Sequence, residues 1–535
     1  MRKLTSLLLA LCMLLTGAAF AAPEAPATLP LAEGVTLTAA VMQDTARISD
    51  LVDNEFTKWM EEQTGITLDI TPLTSDVVTE KLMLMLNSGS YPQMLLTGMK
   101  YSDIERYGVE EGILRPITDL IDSDGYYYAM VAERYPAILT GLTMSDGNIY
   151  GMTGVQRPFH GMEQCGKLYV NTAWLDALGL EMPTTTDEFA DMLRAFKTGD
   201  PNGNGEADEI PMSGSDSWNS FPHYMLMNAF CHYEGYHLLM FDNGVFKPMY
   251  DQEGFKEGLK YVAGLYGEGL IDPAAYTQTD AMLTALVDTE TGLVGAMNLG
   301  HLYMSQAMGS PVNKDWEMCL PLTGPAGYQG VPYNDTINVS YANVSFTDKL
   351  SDDELKLAFQ WADLLFSDEG SLRAIWGVKG EEWDYVSPDN PGENMFGEPA
   401  EFELLNNIHA QVTNRRWYIQ GCGQNDFNTR FAVRADIYSN EGSESRLGQQ
   451  SGALMAYWDD YKYPTFIATG ETAEELALIE TALSTSYKEW TMQFITGAKS
   501  VDADWDAFLA DMASLQMDTY IELTTKAYED FNASK

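Results

Sequence analysis

The chain has 535 residues, too many for one ordinary domain and enough for two large units with sizeable cores. Apolar residues make up 45% and aromatics 11%, which excludes a disordered chain. Against 31 Lys and Arg stand 78 Asp and Glu, and the formal charge of −47 excludes the phosphate-neutralising face of a nucleic-acid binder and a basic patch for anionic lipid.

Residues 1–21 read as an export leader. Arg2 and Lys3 precede an apolar run over 4–15, too short to span a bilayer, and Ala19-Phe20-Ala21 fits cleavage after Ala21. Cys12 lies inside the apolar run behind Leu11, so it is not a lipoprotein cysteine. No other stretch approaches a membrane span, so the mature chain is not an integral membrane protein. It is expected in a periplasm, outside the cell or at its surface.

Residues 35–41 read as a first strand by their β-branched content. Phe56, Trp59 and Met60 recur at helical spacing over 54–64, and Gly65 stops that helix. Residues 66–70 alternate as a strand, 77–87 form a second amphipathic helix ended by Gly89, and 94–97 are a short buried strand. Repeated strand–helix–strand units predict a parallel sheet with helices on its faces. Further helices are predicted over 186–197, 252–266, 353–366, 473–496 and 502–512, with loops at 387–399 and 439–452. Trp59, Trp361 and Trp490 fall inside helical patterns and read as core, and Asn54 reads as a helix cap. Cys165, Cys231, Cys319 and Cys422 form no CxxC, so buried thiols are expected, with one disulfide left open.

The most specific motif is Asp200-Pro201-Asn202-Gly203-Asn204-Gly205-Glu206-Ala207-Asp208-Glu209. Oxygen side chains alternate along a tight turn, as in the first three-quarters of an EF-hand loop. Asp200, Asn202, Asn204, Asp208 and the carbonyl of Glu206 are the expected ligands of a structural Ca2+. Glu209 replaces the bidentate glutamate, because Pro211 stands where that residue is expected. The second helix of an EF-hand is missing, since 210–211 read as extended.

Tyr169 to Leu180, then Pro183-Thr184-Thr185 and this loop, resemble the large substrate-binding proteins of carbohydrate ABC importers, the branch related to alginate-oligosaccharide binding proteins. Gly112 to Ile117, Asp146 to Gly151, Phe366 to Gly370, Gly377 to Trp383 and Phe494 to Gly497 are similar to further blocks of that family in the same order. The resemblance implies an α/β type II periplasmic-binding-protein fold, with two lobes, a ligand cleft and crossing hinge strands. The expected division places 22–150 and 290–340 in lobe 1 and 151–289 and 341–535 in lobe 2, the C-terminal part packing on both. Crossings are expected near 151–155 and 338–346.

The implied function is capture of an oligosaccharide or related polar solute and its delivery to an ABC permease, by a monomer that is not an enzyme. Sugars offer apolar C–H faces and hydroxyls, so flat aromatics framed by polar groups are the expected contacts. Tyr150, Trp218, Trp376, Glu381, Trp383, Arg415 and Trp417 are the candidates, chosen from loops without helical periodicity. The negative charge favours a neutral sugar over a polyanion. An exported glycan-binding protein uncoupled from transport and a glycoside hydrolase are the alternatives. No HExxH or GxSxG occurs, and His232 and His237 read as ordinary polar or core residues.

Overall fold

The computed structural model describes residues 25–156, 165–235, 237–332, 341–418, 423–459, 461, 463–464, 466, 468 and 470–533. The leader and Cys422 lie outside the described residues, as does part of the expected return crossing.

Two sheets organise the chain. The first has the strand order Ile66–Thr74, Val35–Gln43, Met94–Leu96, Val344–Phe346, Gly151–Met152. Its first three strands run parallel, with Ala40 opposite both Thr71 and Leu95. Val344–Phe346 runs antiparallel to both neighbours. The predicted helices lie where their signals put them. Helix Glu55–Thr64 starts at Asn54, whose side chain accepts from Phe56 N, and ends at Gly65 with φ +70°. Helix Val78–Ser88 ends at Gly89 with φ +74°. A positive φ of this kind is cheap for glycine alone, which explains both stops. Their inner faces join Leu37, Val41, Leu95 and Phe346 in one core.

The second sheet has the order Trp316–Cys319, Lys167–Asn171, Val294–Leu299, Ile210–Ser213. Lys167–Asn171 and Val294–Leu299 are buried at every residue, as central strands covered on both faces must be. Helix Thr186–Thr198 opens on a reciprocal capping box between Thr185 and Glu188 and buries Phe189, Leu193 and Phe196.

The course of the chain corrects the expected division. Val294–Leu299 and Trp316–Cys319 belong to the second sheet, not the first, because each pairs directly with Lys167–Asn171. Val344–Phe346 belongs to the first sheet, and helix Asp352–Leu364 buries Leu355, Phe359 and Trp361 in its core. The chain therefore goes out after Gly151–Met152, returns before Val344–Phe346, and goes out once more before helix Ser443–Leu454, where Arg446 donates to Asn313 O at 3.0 Å. Helices Gly470–Ile495, Trp505–Ser514 and Met517–Ala533 pack on the second lobe, with Leu483, Phe508 and Tyr520 in its core. Among the described residues the packing of these helices is on the second lobe rather than across both, their apolar faces meeting Phe246, Tyr250 and Phe255. A satellite cluster of Trp376, Trp383, Phe402 and Phe431 extends the first lobe.

Candidate functional site

The first crossing is tied to the return strand. Asn343 Oδ1 accepts from Gly154 N at 2.9 Å and from Thr153 Oγ1 at 3.3 Å. The cleft can be located by which side chains of the two lobes face each other. His301 follows Val294–Leu299 in the second lobe, and its proton affinity is lowered by burial and by the charges of Lys167 and of Arg47 in the first lobe, to about 4. His409, on the first-lobe side, is held down to about 3 by burial, Arg416, Arg47 and His301. Both imidazoles are neutral at physiological pH.

Tyr418 is the centre of the first-lobe wall. The guanidinium of Arg47 lies 4.9 Å from its ring centroid and that of Arg416 lies 5.0 Å away. Its hydroxyl is 3.0 Å from His409 Nε2. Tyr418 has φ +56°, a conformation that a bulky residue adopts only under constraint from its surroundings. Arg416 is wholly buried and donates to the carbonyls of Ile375, Ile408 and His409 at 2.8–2.9 Å. Burial lowers its pKa to about 10.

Trp218 forms the lip of the second lobe. It is 43% exposed, on a loop that buries Ser213, Ser215, Asn219 and Ser220 and leaves Asp216 at the surface. Asp280 accepts from Ser215 and, at 2.9 Å, from Ser217. Gln278 Nε2 donates to Gly214 O, and Asn298 Nδ2 donates to Asn219 O and Phe221 O. Asn219 turns the chain with φ +54°. The indole lies 6.2 Å from the His301 ring. These hydrogen bonds hold the loop that carries the exposed ring.

The other candidates separate. Tyr150 is buried in the first core, its hydroxyl donating to Asp146 at 2.7 Å. Trp383 and Trp417 have no exposed surface: Trp383 Nε1 donates to Gly377 O and Trp417 Nε1 to Thr57 Oγ1. These three are core residues, and local sequence failed to show it because the segments that cover them are distant in the chain. Arg415 is paired with Glu381 and, at 2.8 Å, with Glu382. That charge pair is satisfied internally. Trp376 is 3% exposed, lies 5.6 Å from His409 and leaves Nε1 buried without a hydrogen-bond partner. Arg47 Nε and His409 Nδ1 are buried in the same condition. Sequence reasoning missed Arg47, His301, His409 and Tyr418. No spacing links them, although 416–418 is a polar–aromatic run of the kind a sugar site uses.

The calcium-type loop folds on itself. Asn204 N donates to Asn202 Oδ1, Gly205 N to Asp200, and Glu206 N to Asn204 Oδ1. The amides of Asn202 and Asn204 reach Asp208 at 3.1–3.2 Å. Glu209 Oε1 is buried without a hydrogen-bond partner. An orphaned carboxylate oxygen at the end of a loop rich in amide and carboxylate oxygens is donor chemistry of the kind a hard cation takes. Among the described residues no three His, Cys, Asp or Glu side chains form a metal cluster, so Asp200, Asp208 and Glu209 are not gathered as a three-carboxylate set in this structure. The loop leads directly into strand Ile210–Ser213, as its extended end predicts.

His232 and His237 hold a separate buried network. His232 Nδ1 is 2.6 Å from Asp459 and its Nε2 is 3.1 Å from Glu234, which also engages His237. Cys165, Cys231 and Cys319 are buried thiols, and burial pushes Cys231 and Cys319 up to about 12. Among the described residues no helix is long and apolar enough to cross a membrane.

Comparison with known proteins bears on the two lobes. Residues 39–371 match the model of the bacterial extracellular solute-binding protein family. The fructooligosaccharide ABC transporter substrate-binding protein FusA of Streptococcus pneumoniae is 25% identical over 521 residues, 95% of this chain and 93% of that one. The structure of S. pneumoniae FusA in complex with kestose superposes with a TM-score of 0.74 at 23% identity, covering 94% of this chain and all of the other. A FusA EF-hand mutant with fructo-nystose gives 0.73 at 22% identity, covering 94% and 100%. The alginate-binding protein AlgQ2 without calcium ion gives 0.63 at 19% identity, covering 94% and 100%. The fold is that of these two-lobed periplasmic binding proteins, as the sequence blocks predict.

Proposed function

The chain belongs to the family of bacterial extracellular solute-binding proteins, and from that premise we propose that it is the substrate-binding component of a carbohydrate ABC importer, capturing a neutral oligosaccharide and delivering it to a permease. The observation that carries the reading is Trp218, an exposed indole on a hydrogen-bonded polar loop beside His301. A sugar ring stacked on it would meet polar groups from the other lobe, where Arg47 Nε, Trp376 Nε1 and His409 Nδ1 call for partners. Contacts with both lobes make the ligand favour a closed form, because it binds that form better than the open one. Hinge motion is taken up where the chain crosses, around Thr153 and Asn343. The similarity to FusA supports an oligosaccharide, and the charge of −47 disfavours a polyanion.

The protein acts by binding without turnover, as an exported monomer whose leader is removed after Ala21. The loop from Asp200 to Glu209 holds a structural Ca2+ through Asp200, Asn202, Asn204, Asp208, Glu209 and the Glu206 carbonyl. The cation ties the end of helix Thr186–Thr198 to strand Ile210–Ser213 and takes no part in sugar contact.

A thermal-shift screen of the mature protein with kestose, maltotriose and trigalacturonate, followed by chromatography of the sugars, tests this reading. A rise in Tm with a neutral sugar left intact is expected. Stabilisation by trigalacturonate alone would move the substrate class to acidic glycans, and cleavage products would make the protein a hydrolase.

A further inference from the structure

A cavity of about 430 Å3 opens on the first lobe and shares no residue with the cleft wall. Its size falls in the range of small-molecule sites. Helix Glu55–Thr64 contributes Trp59, helix Tyr126–Arg134 contributes Tyr126, Tyr127 and Arg134, and Tyr385 closes one side. Asp368 and Glu369 stand at the start of helix Asp368–Trp376. Tyr126 and Tyr127 meet edge to face, with centroids 5.0 Å apart and an 82° angle, so they present rings in two orientations.

The charged groups of this cavity are already neutralised from outside it. Asp368 is paired with Arg430 at 2.8 Å, and Glu369 with Arg373 at 2.8 Å and Lys379 at 3.6 Å. Arg134 is paired with Asp426 at 3.2 Å. The same cations steady the rings: Arg373 lies 5.1 Å from the Trp59 ring centroid and Lys379 lies 4.5 Å from that of Tyr385. What remains for a ligand is a set of fixed hydrogen-bonding groups with little net charge between aromatic surfaces. An anion would meet two carboxylates, and a cation would have to compete with three basic side chains. A neutral polyhydroxylated ring satisfies both features, by C–H contact with the rings and hydroxyl bonds to the held carboxylates. Tyr385 is 44% exposed, so the mouth is open to solvent.

We propose that this first-lobe cavity is a second carbohydrate site, for a short neutral saccharide, independent of the cleft between the lobes. Such a site would hold glycan at the protein surface while the cleft carries the solute.

Saturation-transfer NMR on the full mature protein tests it, with kestose, maltotriose, xylotriose and trigalacturonate as probes. The Trp218→Ala variant serves as background to weaken the cleft. A neutral trisaccharide is expected to give a signal in that background. Tyr126→Ala together with Tyr385→Ala is expected to reduce it about tenfold, whereas Tyr126→Phe with Tyr385→Phe retains it. Unchanged melting temperatures exclude unfolding as the cause of the loss. The proposal is overturned if the signal is insensitive to the tyrosine changes, if no neutral probe gives one, or if trigalacturonate binds in preference. Because the tyrosines lie outside the cleft, these outcomes are separate from failure of the cleft reading, which would show as binding unchanged by Trp218→Ala in a protein that already carries Tyr126→Ala and Tyr385→Ala.

Discussion

The indole of Trp218 lies against the backbone of Gly300: a Cβ at residue 300 would overlap Trp218 Cε3 and Cζ3 and come within 3.1 Å of Met304 Sδ. Gly300 is therefore the slot that lets the ring lie beside His301. Gly300→Ala is expected to displace the ring and weaken sugar binding about tenfold, close to the value of one lost stacking contact. In a Trp218→Ala background the same change should add almost nothing, because its effect runs through the indole. Titration calorimetry of the two single variants and the double variant checks this. Equal losses in both backgrounds would show that Gly300 acts on the loop in general.

Trp383 supplies the contrast. It has no exposed surface, its Nε1 donates to Gly377 O at 2.9 Å, and its ring packs on Phe402 at 6.1 Å. Trp383→Ala should cost about 3–5 kcal/mol of stability, as for other large cavities. The fraction that remains folded should bind sugar with unchanged affinity. Urea unfolding and calorimetry on the same samples separate the two effects, and a weakened affinity at unchanged stability would return Trp383 to the binding site.

Removal of calcium should act on stability and leave recognition alone. EDTA is expected to lower Tm and added Ca2+ to restore it, with a gain of about 2.7 kcal/mol at a hundredfold excess over Kd. Asp208→Ala should abolish the response, since Asp208 faces both Asn202 and Asn204. An EDTA-insensitive melt would reduce the loop to a turn held by its own hydrogen bonds.

Much of the fold was legible because its signals are local. Asn54, Gly65, Gly89 and the Thr185–Glu188 box mark helix ends through contacts within a few residues. The sequence blocks carried the two-lobed architecture. Allocation of segments to lobes was not legible, since Val294–Leu299 suits either sheet by composition, and only pairing with Lys167–Asn171 decides. The aromatics show the same limit. Trp218 and Trp383 both sit outside strong helical patterns, yet one lies on a lip and the other under Phe402 and Leu404. Exposure is set by chain segments far away in sequence. The left-handed backbone of Tyr418 offered no signal, because such a tyrosine is a product of its surroundings.

The buried network at His232 predicts a pH dependence whose sign can be worked out. Burial pushes His232 down, but its bonds to Asp459 and Glu234 outweigh that and raise it from 6.5 to about 9. At Glu234 the bonds to His232 and His237 overcome burial and lower that carboxyl from 4.5 to about 2. Tyr328 also donates to Asp459 at 3.3 Å, and Tyr461 and Tyr463 pack on the two imidazoles. A raised folded pKa contributes stability that is fully present below the unfolded value and is lost as pH rises through the folded one. The His232 contribution, about 3 kcal/mol from a shift of this size, is therefore complete below pH 6.5 and declines toward and beyond pH 9. On the acid side the lowered Glu234 keeps its contribution down to pH 4.5, and it fades as pH falls through about 2. The two shifts share the bond between His232 and Glu234 and do not add. Urea unfolding of wild type and His232→Gln should thus differ most between pH 4.5 and 6.5. The gap should narrow as the pH rises from 6.5 to about 9. A gap that stays constant across that range would mean that the imidazole contributes by shape and hydrogen bonding alone, without its charge.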